Sequence, residues 1–183
     1  MKAEKKPRPH RRSYLESFTR NEDGSYTYKG VCYRRHQSYT PVILWSVITF
    51  AATVASGILP YAPMMNTFYV ILPFMGEVAA AGFLLWGVLR VVYHGDVLRE
   101  YVYAKTAARV NPLSITTAVF ALAGAIADLV YLILHGFDAD TLQTVLFFSC
   151  KILAAFAVLM TRRKALEVCW EKIAPGNKTV LDD

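Results

Sequence analysis

Residues 68–93 read FYVILPFMGEVAAAGFLLWGVLRVVY, with a single acid, Glu77, before Arg90 near the end. At ~1.5 Å per residue the run is long enough to cross a hydrocarbon core of ~30 Å. In lipid no water satisfies a free amide, so a crossing segment of this length must be a helix. Barrel strands are about half as long. Pro73 removes one backbone bond, frees the Tyr69 carbonyl and predicts a kink. His94-Gly95 then supplies a C-terminal stop.

Three more runs of this kind flank it. The first is Pro41–Leu59, with Thr40 as N-cap, Pro41 at the first helical position, and Pro60 and Pro63 as stops. The third is Leu113–His135, opened by Asn111-Pro112 and closed by Gly136. The fourth is Leu142–Thr161, with Asp140 and Gln143 at capping-box spacing and Arg162-Arg163-Lys164 as its end. Hydrophobic residues make up 55% of the 183-residue chain, above the ~45–50% usual for soluble domains. The fold class expected is an all-α membrane protein, a four-transmembrane-helix bundle. Residues 1–40 precede the transmembrane domain 41–161, and residues 162–183 follow it.

Charge orients the bundle. The net charge is +6 with 20 Lys and Arg, and every one except Lys151 lies before the first run, from Arg90 to Arg109, or after the fourth. The two remaining connections hold none, and one carries Asp138 and Asp140. The positive-inside rule therefore puts both termini and the middle connection in the cytoplasm. Trp45, Trp86 and Tyr93 fit the inner interface, and Tyr61, Tyr69 and Tyr131 the outer one. With this topological account of the charge, and no recognition motif, nucleic acid is not an expected partner. The first apolar run starts too late for a cleavable signal peptide. A multi-pass plasma-membrane protein, of a bacterial inner membrane, is the expected location.

The polar parts carry weaker patterns. Residues 1–13 are basic and proline-containing, which suits a disordered topology determinant. Asn21–Gly24 reads as a turn, and Tyr26, Tyr28, Val31 and Tyr33 alternate around Lys29-Gly30, which predicts a small N-terminal cytoplasmic β-hairpin. Tyr26, Tyr28 and Tyr33 make it a candidate docking element. Leu166, Cys169, Trp170 and Ile173 fall at helical spacing, as do Leu98, Tyr101, Val102 and Lys105 more weakly. Both stretches are expected as amphipathic cytoplasmic helices on the inner leaflet.

Chemistry is sparse. Cys32, Cys150 and Cys169 are too scattered for a disulfide framework or a zinc site and are expected as free thiols. No phosphate-binding loop, nucleophile elbow, zincin or dinucleotide motif occurs. His94 with Asp96 reads as a helix cap, and His135 with Asp138 and Asp140 as solvated acids. Catalytic residues, metal ligands and cofactors are therefore not assigned, and a non-enzyme is expected.

Three ionisable residues remain inside the runs: Glu77, Asp128 and Lys151. Each costs ~2.5–3.5 kcal/mol at a helix centre, so such residues face protein or water. Small residues share their faces: Ala80 and Ala81, then Gly124 and Ala125, then Ala154 and Ala155. A Glu77–Lys151 pair near mid-membrane, with Asp128 nearby, is the natural arrangement. Glu77 and Lys151 also fall opposite each other when the second run is aligned on the fourth, and Phe50-Ala51 then matches Phe120-Ala121 in the first and third. That alignment predicts two parallel hairpins about an axis along the membrane normal.

The charges admit two readings. As an ion pair they fix helix register. As a coupling site, two carboxylates and one lysine leave one carboxylate to take up a proton or cation. The first reading makes the chain a non-enzymatic accessory or assembly subunit of a membrane complex. The alternative is a small oligomeric proton- or ion-coupled transporter or channel built on Glu77, Asp128 and Lys151. The partners expected are the bilayer and either another membrane protein or further copies of the chain.

Overall fold

A computed structural model of the chain describes residues 18–20, 26–28, 30–58, 66–136 and 141–173. Strands β1 (Phe18–Arg20), β2 (Tyr26–Tyr28) and β3 (Cys32–Arg35) precede helices α1 (Thr40–Ile58) and α2 (Phe68–Tyr93). Then come β4 (Val97–Arg99), α3 (Glu100–Lys105), α4 (Ala107–His135), α5 (Thr141–Glu167) and β5 (Trp170–Ile173). Among the described residues four helices, α1, α2, α4 and α5, are long and apolar enough to cross a membrane. Their outer faces keep Leu72, Met75, Phe83, Leu122, Ile133 and Ile152 exposed, as lipid-facing surfaces do.

The four helices form a ring. α1 packs broadly on α5 and α2 broadly on α4, while the α1–α2 and α4–α5 seams are narrower. Exchanging hairpin α1–α2 with hairpin α4–α5 maps each kind of contact onto itself. That pattern is compatible with a parallel two-hairpin repeat. Glu77 and Lys151 then sit on diagonally opposed helices.

At one end the polar segments form a sheet of order β4-β3-β5, with β3 antiparallel to both neighbours. Tyr33 pairs with Leu98 on one side and Lys172 on the other. A core of Tyr39, Val42, Leu84, Val88, Leu98 and Val168 joins sheet to bundle. Tyr33 stacks on Tyr103 with ring centroids 4.1 Å apart, and Trp170 meets the Tyr103 edge at 5.3 Å. Burial pushes the Tyr39 phenol up to about 12, so it stays a neutral ring beneath Arg35.

Several local expectations are corrected here. The 166–173 stretch is no amphipathic helix: α5 stops at Glu167, and Trp170–Ile173 is a strand. Val168 is buried and Trp170 partly buried, while Cys169 between them is exposed, a period of two. Paired to β3, this segment satisfies its amides against a neighbour. Likewise Val97–Arg99 is a strand, and only Glu100–Lys105 is helical, so Leu98 is buried while Tyr101 stays half exposed. Replacing Leu98 by Ala is expected to cost about 2–5 kcal/mol in a thermal or chemical unfolding series. A loss below ~0.5 kcal/mol would return Leu98 to a free surface.

The hairpin also differs. β1 pairs with β2 in the register Phe18↔Tyr28, and Tyr33 belongs to the other sheet. The end of the Tyr28 ring lies over Gly30, so a side chain there would require that ring to move. The guanidinium of Arg99 sits over both Phe18 and Tyr28, at 5.5 and 5.3 Å, and holds the hairpin against β4.

Helix bounds shift too. α4 starts at Ala107, so Pro112 lies inside it rather than at its first position. α5 runs past Arg162-Arg163-Lys164, because Arg162 donates to Asn111 and Arg163 and Lys164 both pair with Glu167. Long cationic side chains reach water while their helix continues. α2 passes Pro73 without interruption. The basic segment 1–13, the Asn21–Gly24 turn, Lys29, Leu59, Pro60, Pro63, Tyr61, Asp138, Asp140 and the fourth run's capping spacing lie outside the described residues.

The sheet makes the cysteines unequal. Burial pushes the Cys32 thiol up on β3, whereas Cys169 is exposed. A raised acid holds its proton to higher pH, so Cys32 carries less thiolate near pH 8. Iodoacetamide is expected to modify Cys169 first, with Cys32 following as pH rises. Equal rates, read by peptide mass spectrometry, would contradict the β3 placement.

Candidate functional site

Helix periodicity brings one polar side chain from each long helix toward the bundle axis. Glu77 of α2 is fully buried and Lys151 of α5 is 6% exposed. Lys151 Nζ donates to Glu77 Oε2 at 2.5 Å, across the diagonal of the ring. Thr53 of α1 donates to Glu77 Oε1 at 3.4 Å. Gly124 of α4 makes room: a β-carbon there would stand 3.5 Å from both Glu77 Oε2 and Lys151 Nζ. The ammonium also lies 4.9 Å from the Phe74 ring centre and 5.7 Å from that of Phe147. Each charge therefore has a counter-charge, and the cation has aromatic faces as well.

Asp128 follows Gly124 by one turn of α4 and is 2% exposed. Its Oδ2 is buried and accepts no hydrogen bond among the described residues. The three sequence-selected charges thus converge in one region, and two of them touch. A buried polar atom without a hydrogen bond is costly.

Other buried hydroxyls do not extend the cluster. Ser46, Thr49 and Ser56 on α1, and Ser114 and Thr117 on α4, all donate to carbonyls three or four residues back on their own helices. Thr53 alone among these turns to a charge. A charge count missed Thr53, although its place on the Ser46–Thr49–Thr53–Ser56 face is legible. On the α4–α5 seam an apolar groove of about 320 Å³, lined by Ala118, Ala121, Ala125 and Ala155, reaches Lys151.

The remaining sequence-selected groups lie elsewhere. His94 Nδ1 donates to the Arg90 carbonyl at 2.8 Å, which is a cap. His135 donates to the Tyr131 carbonyl at 3.2 Å and stacks on that ring. Among the described residues no three His, Cys, Asp or Glu side chains gather as metal ligands. Tyr28 packs at the hairpin, and Tyr33 stacks within the other sheet.

The chain matches no known family model, no curated protein and no solved structure.

Proposed function

We propose that the protein is a non-enzymatic integral membrane protein, an accessory or assembly subunit that presents a cytoplasmic platform to a partner. The observation behind this reading is the β4-β3-β5 sheet. It gathers the segments before α1, between α2 and α4, and after α5 into one rigid surface. Both outer strands have an open edge among the described residues, and an open edge accepts a further strand by backbone pairing. The axial charges then hold the two hairpins in register beneath it.

The test is an affinity purification from native membranes in mild detergent, with a photocrosslinking residue in place of the exposed Glu171 on β5. A stoichiometric second protein, crosslinked from that position, is expected. A homo-oligomer with no such partner would overturn the reading. Orientation has its own check. A cysteine placed within residues 136–141 should react with an impermeant reagent from outside, and protection there would reverse the topology.

The orphan oxygen of Asp128 favours a second reading, a small oligomeric proton- or ion-coupled transporter on Glu77, Asp128 and Lys151. Four helices enclose little, so this reading requires more than one copy. It expects pH-dependent flux in liposomes that Asp128→Asn abolishes without loss of fold. Flux unchanged by Asp128→Asn would remove it.

A further inference from the structure

A second polar site lies at the sheet end of the bundle. A cavity of about 350 Å³ opens between the β3–α1 connection, the start of α1 and the end of α2. Arg35, Ser38, Thr40 and Asp96 line its polar side, and Ile43 and Val92 its apolar side. Ile43 is in the first turn of α1 and Val92 in the last of α2. The cavity therefore sits where two spans leave the hydrocarbon, at headgroup depth.

Arg35 is fixed from three directions. Its Nη2 donates to the Asp96 carboxylate, its backbone amide donates to the Asp96 carbonyl at 2.8 Å, and its guanidinium lies 5.2 Å from the Tyr39 ring centre. The other terminal nitrogen, Nη1, is buried and has no hydrogen-bond partner among the described residues. A buried charged donor left unmade is expensive, and a guanidinium held rigid with one nitrogen unused suits an oxyanion.

The hydroxyls add donors. Ser38 donates to Thr40 Oγ1 at 2.9 Å, which leaves the Thr40 hydroxyl proton to give. The start of α1 contributes field rather than amides. Thr40 N–H already donates to Ser38 Oγ, and the amides of Val42 and Ile43 donate to the Tyr39 carbonyl.

Both signs are present. Asp96 is an exposed acid at the rim, while Glu171 is engaged by His36 at 2.5 Å. A purely anionic ligand would meet the Asp96 carboxylate. One carrying a phosphate and a hydrogen-bonding ammonium meets both charges with opposite ones.

We propose that this cavity binds the headgroup of an ethanolamine phospholipid. The phosphate takes the exposed edge of the Arg35 guanidinium and the Thr40 hydroxyl, the ammonium takes Asp96, and the acyl chains leave along Ile43 and Val92. A choline headgroup has no N–H to give Asp96. The inference depends only on the four spans crossing a membrane, not on the partner proposed above.

The experiment uses the full chain, stripped of lipid and reconstituted in nanodiscs containing phosphatidylethanolamine, phosphatidylcholine or phosphatidylglycerol. Lipid retained after re-solubilisation is read by native mass spectrometry. Phosphatidylethanolamine is expected to be retained stoichiometrically, and Arg35→Gln is expected to cut retention about tenfold, as loss of a charge-assisted bond should. Asp96→Asn keeps an acceptor for Arg35 but removes the negative charge, so preference is expected to move toward phosphatidylglycerol. That exchange decides the matter even if Arg35→Gln fails to fold. Equal retention of all three lipids, or an ethanolamine preference surviving Asp96→Asn, would overturn the proposal. Inorganic phosphate alone, if it raised Tm as much as the lipid, would make this a soluble-anion site and overturn it too.

Discussion

Glu77→Gln is expected to destabilise the protein by roughly 3–5 kcal/mol, and Glu77→Gln with Lys151→Met to recover most of that loss. The single change leaves the Lys151 ammonium buried at 6% exposure without its counter-charge. The double change removes both charges, leaving at position 77 a neutral amide that can still accept from Thr53, and Lys151→Met keeps an apolar stem against Phe74 and Phe147. Unfolding in a detergent series measures both, and the coupling between them isolates the pair. A double variant no more stable than the single would mean that the contact does not hold the hairpins together. A stable Glu77→Gln that loses a pH-dependent flux would instead move the weight to transport.

The second large effect is expected at Gly124. Alanine is tolerated there, because its β-carbon would meet Glu77 Oε2 and Lys151 Nζ at 3.5 Å, an ordinary contact. Leucine is not, since its branches must enter the space the ion pair fills. Overpacking alone costs about 1–3 kcal/mol, and separation of the charges adds to it. The same unfolding series in Gly124→Ala and Gly124→Leu checks this. Similar stabilities for the two would place the pair away from α4.

Much of the architecture was legible without coordinates. The long runs could only be helices, and Glu77, Asp128 and Lys151 stood out because each is costly in lipid. The Glu77–Lys151 contact followed from their similar depth and opposite sign. Thr53 and the room at Gly124 did not follow so directly, because neutral residues carry no such penalty and their role depends on which helix lies opposite. Outside the runs the reading was weaker. Trp170 and Ile173 fit a helical stripe on spacing, yet a partner strand was available at Cys32–Arg35 and decided otherwise. For short segments, propensity and period are weak, and the backbone takes whichever pairing the tertiary fold offers.

By itself, then, the sequence determined four helices long and apolar enough to cross a membrane, their alternating direction and the cost that lipid would set on the charges within them. These depend on the transfer of single residues into lipid and on local helix geometry, and neither needs a distant partner. Only the tertiary structure decided that Thr53 and Gly124 flank the Glu77–Lys151 pair, and that Tyr33 lies between strands from the middle and the end of the described chain. It also decided that Arg35, with one nitrogen unpaired among the described residues, lies beside a cavity. Such contacts depend on how whole helices pack, and side-chain pairing across the chain is a property of that packing rather than of any local run of residues.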